Sequence, residues 1–153
     1  MKLLTTNAHW LLRIALASVF VYHGALKFLD LDGFAQMLPV SYLQVVLVAL
    51  AETGGGVLVL LGGFRGDRIS DLATRVGAAL NIPVMIGAIT LVHWGRWNFL
   101  PSETHPMGGF EFQVVLILLM LYLVFTGNRG LAVPEEKNTQ DDQLPETASV
   151  VAS

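Results

Sequence analysis

The chain has 153 residues, of which 54% are hydrophobic and 14% charged, with no cysteine and a formal net charge of −3. Soluble domains carry roughly 25% charged residues, so this composition and a mean hydropathy of +0.60 point to one domain of the membrane class. The lack of cysteine excludes disulfides, thiolate metal sites and thiol redox chemistry. The net charge leaves no basic patch for nucleic acid.

A spanning helix needs about 20 mostly apolar residues, and four windows qualify: residues 9–29, 42–63, 73–94 and 110–128. Within the first, Ala15-Leu16-Ala17 imitates a signal-peptide cleavage motif. Arg13 interrupts the apolar core just before it and apolar sequence continues beyond, so the segment is read as a retained span. Asp30-Leu31-Asp32-Gly33 and Pro39 read as a connection. The second window, Tyr42 to Gly63, carries Glu52 near its centre. It is also rich in glycine, and Ala51 with Gly55 forms a small-xxx-small pair that lets helices approach closely.

The connection from Arg65 to Asp71 is short and basic, with Ser70 or Asp71 expected to cap the next helix. Pro83 in the third window removes a backbone donor and predicts a kink. The stretch from Gly95 to Gly109, rich in Trp, Pro, Gly and His, is expected to fold over the end of the bundle. The fourth window is strongly apolar after Glu111. After Gly130 the composition turns polar, so 1–131 is read as the spanning domain and 132–153 as a disordered cytoplasmic tail.

Lys and Arg set the orientation. With both termini cytoplasmic, Lys2, Arg13, Arg65, Arg68, Arg75, Arg129 and Lys137 fall inside, against Lys27 and Arg96 outside, as the positive-inside rule requires. The expected fold is therefore an all-α membrane protein, an antiparallel four-helix transmembrane bundle with cytoplasmic ends. Trp94 and Trp97 then lie at the outer interface and Trp10 at the inner one.

That topology gathers polar groups. His23 and Lys27 end the outward-running first helix, His93 ends the third, and Glu111 opens the fourth at the same face. Glu52 lies about 15 Å below the outer end at 1.5 Å per residue. Charges in a bilayer are expensive and mark functional sites, so Glu52 is expected either to pair with Arg13, Lys27 or His23 or to be protonated. At about 100° per residue, Arg13, Ala17, Phe20, Gly24 and Lys27 share one stripe of the first helix, with His23 on its edge. Glu52 shares a face with Val45, Gly56, Val59 and Gly63, and Glu111 shares one with Val115, Leu118 and Tyr122.

Glu52, His93 and Glu111 are the catalytic candidates, and Arg13, His23 and Lys27 the cofactor-binding ones. Each has a plainer reading. Arg13 can anchor to inner headgroups and Lys27 snorkel to outer ones. His23 and His93 can be interior or interfacial histidines, and Glu111 can be a helix-start residue favoured by the dipole. Glu103 and His105 read as loop residues, and Asn81 and Tyr122 as packing hydrogen-bonders.

These residues resemble the DoxX family of small four-span bacterial and archaeal membrane proteins. The matching elements are Leu12-Arg13, Tyr22-His23-Gly24-Ala25-Leu26-Lys27-Phe28, Ala51-Glu52-Thr53-Gly54-Gly55-Gly56, Leu60-Leu61-Gly62-Gly63-Phe64-Arg65, His93-Trp94 and Gly108-Gly109-Phe110-Glu111. They run in order through roughly residues 10–130. Gly127-Asn128-Arg129-Gly130 keeps only part of the family's C-terminal turn. The resemblance implies a membrane bundle in a bacterial or archaeal cytoplasmic (inner) membrane. Its members are linked to thiosulfate:quinone oxidoreductase in some archaea and to oxidative-stress complexes in some bacteria.

Three functions stay open. The first is a quinone-interacting subunit of a membrane oxidoreductase, with Glu52 or Glu111 relaying protons and His23 or His93 binding a quinone oxygen. No flavin, haem or iron–sulfur motif is present, so electrons come from a protein partner in a redox complex or from the substrate. The second is a scaffold recruiting a redox or stress-response partner, and the third a small transporter or metal-binding protein. Homo-oligomers are compatible with all three.

Overall fold

The computed structural model describes residues 7–128, and the described residues are helical, with no strand among them. The tail assigned to 132–153 lies outside the described residues, as do Lys2, Arg129 and Lys137.

Helix α1 runs His9–Leu29, as its apolar window predicts. Asp30 ends it and at once starts α2, Leu31–Met37, its side chain accepting from the Gly33 N–H at 2.9 Å. The sequence reading made this stretch a plain connection. A carboxylate cap three residues ahead of Gly33, with Asp32 in the first turn, suffices for two helical turns. Pro39 stops them, holding Leu38 extended (φ −105, ψ 150) as the residue before proline prefers.

Helix α3 spans Tyr42–Leu61 and opens with a capping box: Ser41 Oγ accepts from the Gln44 N–H, and Gln44 Oε1 from the Ser41 N–H. Helix α4 spans Arg68–Ala88 and continues as a π-helical turn, Ile89–His93. Its cap is Asp67, which accepts from the Ser70 N–H at 2.8 Å. The expected caps, Ser70 and Asp71, instead lie within the first turn, because Asp67 offers a carboxylate to the first free backbone donors. Helix α5 spans Glu111–Thr126, 16 residues or about 24 Å.

By length and composition, His9–Leu29, Tyr42–Leu61 and Arg68–His93 can cross a membrane, while Glu111–Thr126 is a shorter apolar helix. This is a multi-pass helical membrane protein.

Helix α1 packs along α3, α3 along α4 and α4 along α5, whereas α1 and α5 touch only briefly. The core is built from Leu16 and Phe20 on α1, Val59 on α3, Ala78 and Met85 on α4, and Leu116, Met120 and Leu123 on α5. The α1 stripe Arg13, Ala17, Phe20 and Gly24 is buried as expected, and so are Val45, Glu52, Gly56, Val59 and Gly63. Gly55 meets α4 where a side chain has no room, for an added Cβ would lie 2.7 Å from the Gly77 carbonyl and closer still to the Asn81 amide. Ala51 is only partly buried, so the contact is made by Gly55 against Gly77 rather than by the small pair along α3.

Helix α5 departs from its expected face. Val115 is 46% exposed, Leu118 61% and Tyr122 58%, while Leu116, Met120 and Leu123 are buried. Beyond Glu111 and Gln113 in its first turn, this helix is apolar on every side through Leu121. Apolar residues satisfy lipid and core alike, so hydropathy cannot choose its inward side.

Candidate functional site in the bundle interior

A cavity of about 440 Å³ opens among the helices. His23 and Lys27 of α1 line it together with Phe34 of α2, Glu52 of α3, His93 at the end of the π-helical turn, and Gln113 of α5. The remaining lining is mostly aliphatic and aromatic, with Phe20, Val45, Val84, Leu91 and Leu116 among it. Four of the expected site residues, from three different helices, therefore share one chamber.

Its centre is an ion pair. Lys27 Nζ lies 2.6 Å from Glu52 Oε2, with side chains 13% and 4% exposed. Of the three cations considered for Glu52, Lys27 is the partner. The ammonium also donates to the His23 carbonyl at 3.4 Å and sits 5.6 Å from the centre of the Phe34 ring, whose π face favours a cation. Two charges inside a bundle are tolerated because each neutralises the other; either alone would bear the full desolvation cost. The C-terminal part of α1 reaches α3 because Gly24 lets the helices meet there, with Thr53 and the Ala49 carbonyl against it.

His93 joins the chamber to its cover. Its Nδ1 lies 3.0 Å from the Gly108 carbonyl, an acceptor that requires a proton on Nδ1 and fixes the ring with Nε2 as its other polar atom. Gly108 has φ +75, and a Cβ there would strike the Phe99 carbonyl. Only glycine allows that turn. The loop folds back as expected: Gly109 donates to the Asn98 carbonyl, Phe110 to Arg96 and Glu111 to Trp97. Trp94 stacks on Phe110, Trp97 meets the same ring edge-on, and Met107 reaches down to line the cavity. His23 stands exposed at the margin, its ring edge-on to Tyr22.

Two candidates stay outside. Glu111 is not part of the lining; its Oε2 accepts a long bond from the Phe99 N–H, 3.4 Å, which ties the loop to the start of α5. Arg13 lies 14 residues before Lys27 on α1, roughly 21 Å away along the axis. It is 1% exposed and donates to the Val59 carbonyl (2.7 Å), Thr74 Oγ1 (2.8 Å) and Asn128 Oδ1 (2.6 Å). Asn128 extends this knot, donating through Nδ2 to the Gly62 and Arg65 carbonyls and through its backbone N–H to Asp71 Oδ1. Asp71 in turn pairs with Arg75 at 2.7 Å. Arg13 thus ties α1, α3, α4 and the end of α5 together at the far end of the bundle.

Sequence reasoning missed Gln113 and the α2 residues. An amide within an otherwise apolar span was a usable signal for Gln113; Phe34 gave none, since its role depends on where α2 docks. Among the described residues no group of three His, Asp or Glu side chains could hold a metal ion, so metal-ligand geometry does not emerge from His23, His93, Glu52 and Glu111.

The DoxX family model matches residues 8–94, which covers α1 through the His93 wall of the cavity. The chain belongs to the DoxX family. A protein of Bacillus subtilis (strain 168) named "Putative oxidoreductase CatD" is 34% identical over 128 residues, covering 80% of this chain and 81% of the relative. No solved structure matches. This DoxX protein thus shares most of its length with a relative named for redox chemistry.

Proposed function

We propose that this DoxX protein is a quinone-interacting subunit of a membrane oxidoreductase, set in a bacterial or archaeal cytoplasmic membrane with both termini inside. The observation that carries the reading is an apolar chamber with a buried Lys27–Glu52 pair on its wall. Its volume, about 440 Å³, falls in the range of roughly 300–1,000 Å³ usual for small-molecule sites. Its lining suits a ring that is mostly apolar and carries a few oxygens. The relative's name and the family link support the same chemistry.

In this reading the Lys27 ammonium donates to a quinone oxygen, and Glu52, ionised in the resting pair, takes up from water one of the two protons that two-electron reduction to the quinol consumes and passes it to the ring. His93, its ring fixed by Gly108, takes up the second proton from water at Nε2 and delivers it to the other ring oxygen. His23, exposed at the margin, connects the chamber to water on the outer side. Phe34 lies over the Lys27 ammonium and the pair is buried, which keeps its field strong in a low dielectric. Electrons arrive from a partner protein, because the chain itself carries no flavin, haem or iron–sulfur motif. Glu111, away from the chamber, takes no part in proton transfer here, and Arg13 serves the bundle rather than the ligand.

The test is equilibrium binding of a short-chain ubiquinone to the purified protein in lipid nanodiscs, with quinol formation followed in membranes containing its native electron donor. Wild type should bind. Glu52→Gln should bind within a few-fold of wild type and slow quinol formation by about a hundredfold or more, the usual worth of a positioned proton donor. No binding by wild type, or an unchanged rate with Glu52→Gln, would sink the reading.

A further inference from the structure

Resting on the quinone reading, we infer that Gln113 is the second polar anchor of the ligand head, holding the ring oxygen farthest from Lys27 and Glu52. Gln113 lies on the inward stripe of α5 with Leu116, Met120 and Leu123, and it lines the cavity. Its Oε1 is buried and has no hydrogen-bond partner. A buried carbonyl without a donor is expensive, and no protein group answers this one.

Two other buried oxygens also lack partners, Thr53 Oγ1 and Asn81 Oδ1. Neither residue lines the cavity; Thr53 faces Gly24, and Asn81 faces Gly55 across a helix contact. Among the described residues, Gln113 alone combines an unsatisfied oxygen with access to the chamber. The other two α5 residues of the lining, Phe112 and Leu116, are apolar.

Its placement also selects the ligand. Helix α5 packs on α4, and α3 packs on α1 and α4; α3 and α5 make no extensive contact with each other, yet both line the chamber. A ring bound between them meets Lys27–Glu52 at one end and Gln113 at the other. That demands oxygens at both ends of the ring, as in a para-dione or its diol. An amide carries a donor and an acceptor that trade places by rotation of the side chain. Gln113 therefore donates to the carbonyl of the oxidised ring or accepts from the hydroxyl of the reduced one, and the site holds both oxidation states.

The experiment compares wild type, Gln113→Met and Gln113→Glu in nanodiscs, measuring apo melting temperature and affinity for ubiquinone-1 and, under anaerobic conditions, ubiquinol-1. Gln113→Met should leave the melting temperature unchanged or raised, since it removes an unsatisfied carbonyl, and should weaken both affinities about tenfold, the loss of one buried hydrogen bond. Gln113→Glu presents only acceptors when ionised and should favour quinol over quinone relative to wild type.

A melting temperature lowered by Gln113→Met would mark a structural amide and overturn the inference. Unchanged affinities in Gln113→Met, with wild type binding normally, would overturn it while leaving the quinone reading intact. Failure of wild type to bind either ring would overturn both.

Discussion

Lys27→Met removes the ammonium that neutralises Glu52 and keeps the length of the side chain. At 2.6 Å and an effective dielectric constant of about 20, the two charges attract by roughly 6 kcal/mol. Desolvation of both groups consumes most of that, so the pair itself adds little net stability. Breaking it is a different matter: Glu52, with its side chain 4% exposed, is left as an uncompensated buried carboxylate, at a cost of about 3–5 kcal/mol. In a protein of this size each kcal/mol shifts the melting temperature by roughly 2–4 °C, so Lys27→Met should melt about 6–20 °C below wild type. The double variant Lys27→Met/Glu52→Gln should recover most of the loss, because no buried charge remains. Thermal melts of wild type, both single variants and the double variant in one detergent provide the cycle. If the losses of the two single variants simply add in the double variant, Lys27 and Glu52 are not energetically coupled, and the chamber has no ion pair at its centre.

The other expectations concern the rest of the bundle. Arg13→Leu strips buried donors from the Val59 carbonyl, Thr74 and Asn128; it should cost at least about 3 kcal/mol, and quinone affinity of the folded fraction should match wild type. A fall in affinity equal to that of Lys27→Met would return Arg13 to the binding site. Gly55→Val drives a side chain into the Gly77 carbonyl and the Asn81 amide; overpacking of this kind costs about 1–3 kcal/mol, and melts should show it, while a neutral result would mean that α3 and α4 do not meet there. The Asp67 carboxyl is held below its ordinary value of 3.8, first by the Ser70 N–H. A carboxylate with a lowered folded-state pKa stabilises above its unfolded value, and that contribution is lost as pH falls through the folded one. The stability advantage of wild type over Asp67→Asn should therefore be full near about pH 7 and shrink below about pH 4; a difference independent of pH would refute the capping role.

The apolar windows were legible because a bilayer demands about 20 apolar residues per crossing, and α1 came out at its expected limits. The chamber was legible in part, since the alternation of helix directions and a fixed rise per residue put His23, Lys27, Glu52 and His93 in one half of the bundle, although the same count put Glu111 there, outside the lining. The inward faces of α1 and α3 could be read because Arg13 and Glu52 mark them.

What only the tertiary structure decided was direction around each helix and the choice among partners. Between Gln113 and Tyr122 no polar side chain breaks the circumference of α5, and lipid and protein interior reward the same side chains. Packing against α4 turned Gln113, Leu116 and Met120 inward and left Val115, Leu118 and Tyr122 outside. Glu52 had three possible cations at the level of sequence. The close contact of α1 with α3 at Gly24 brought Lys27 to it, while Thr74 and Asn128, distant in the chain, claimed Arg13. Depth in the membrane follows from counting residues along a helix; the angle a side chain faces follows from which helices meet, and that is settled by long-range packing.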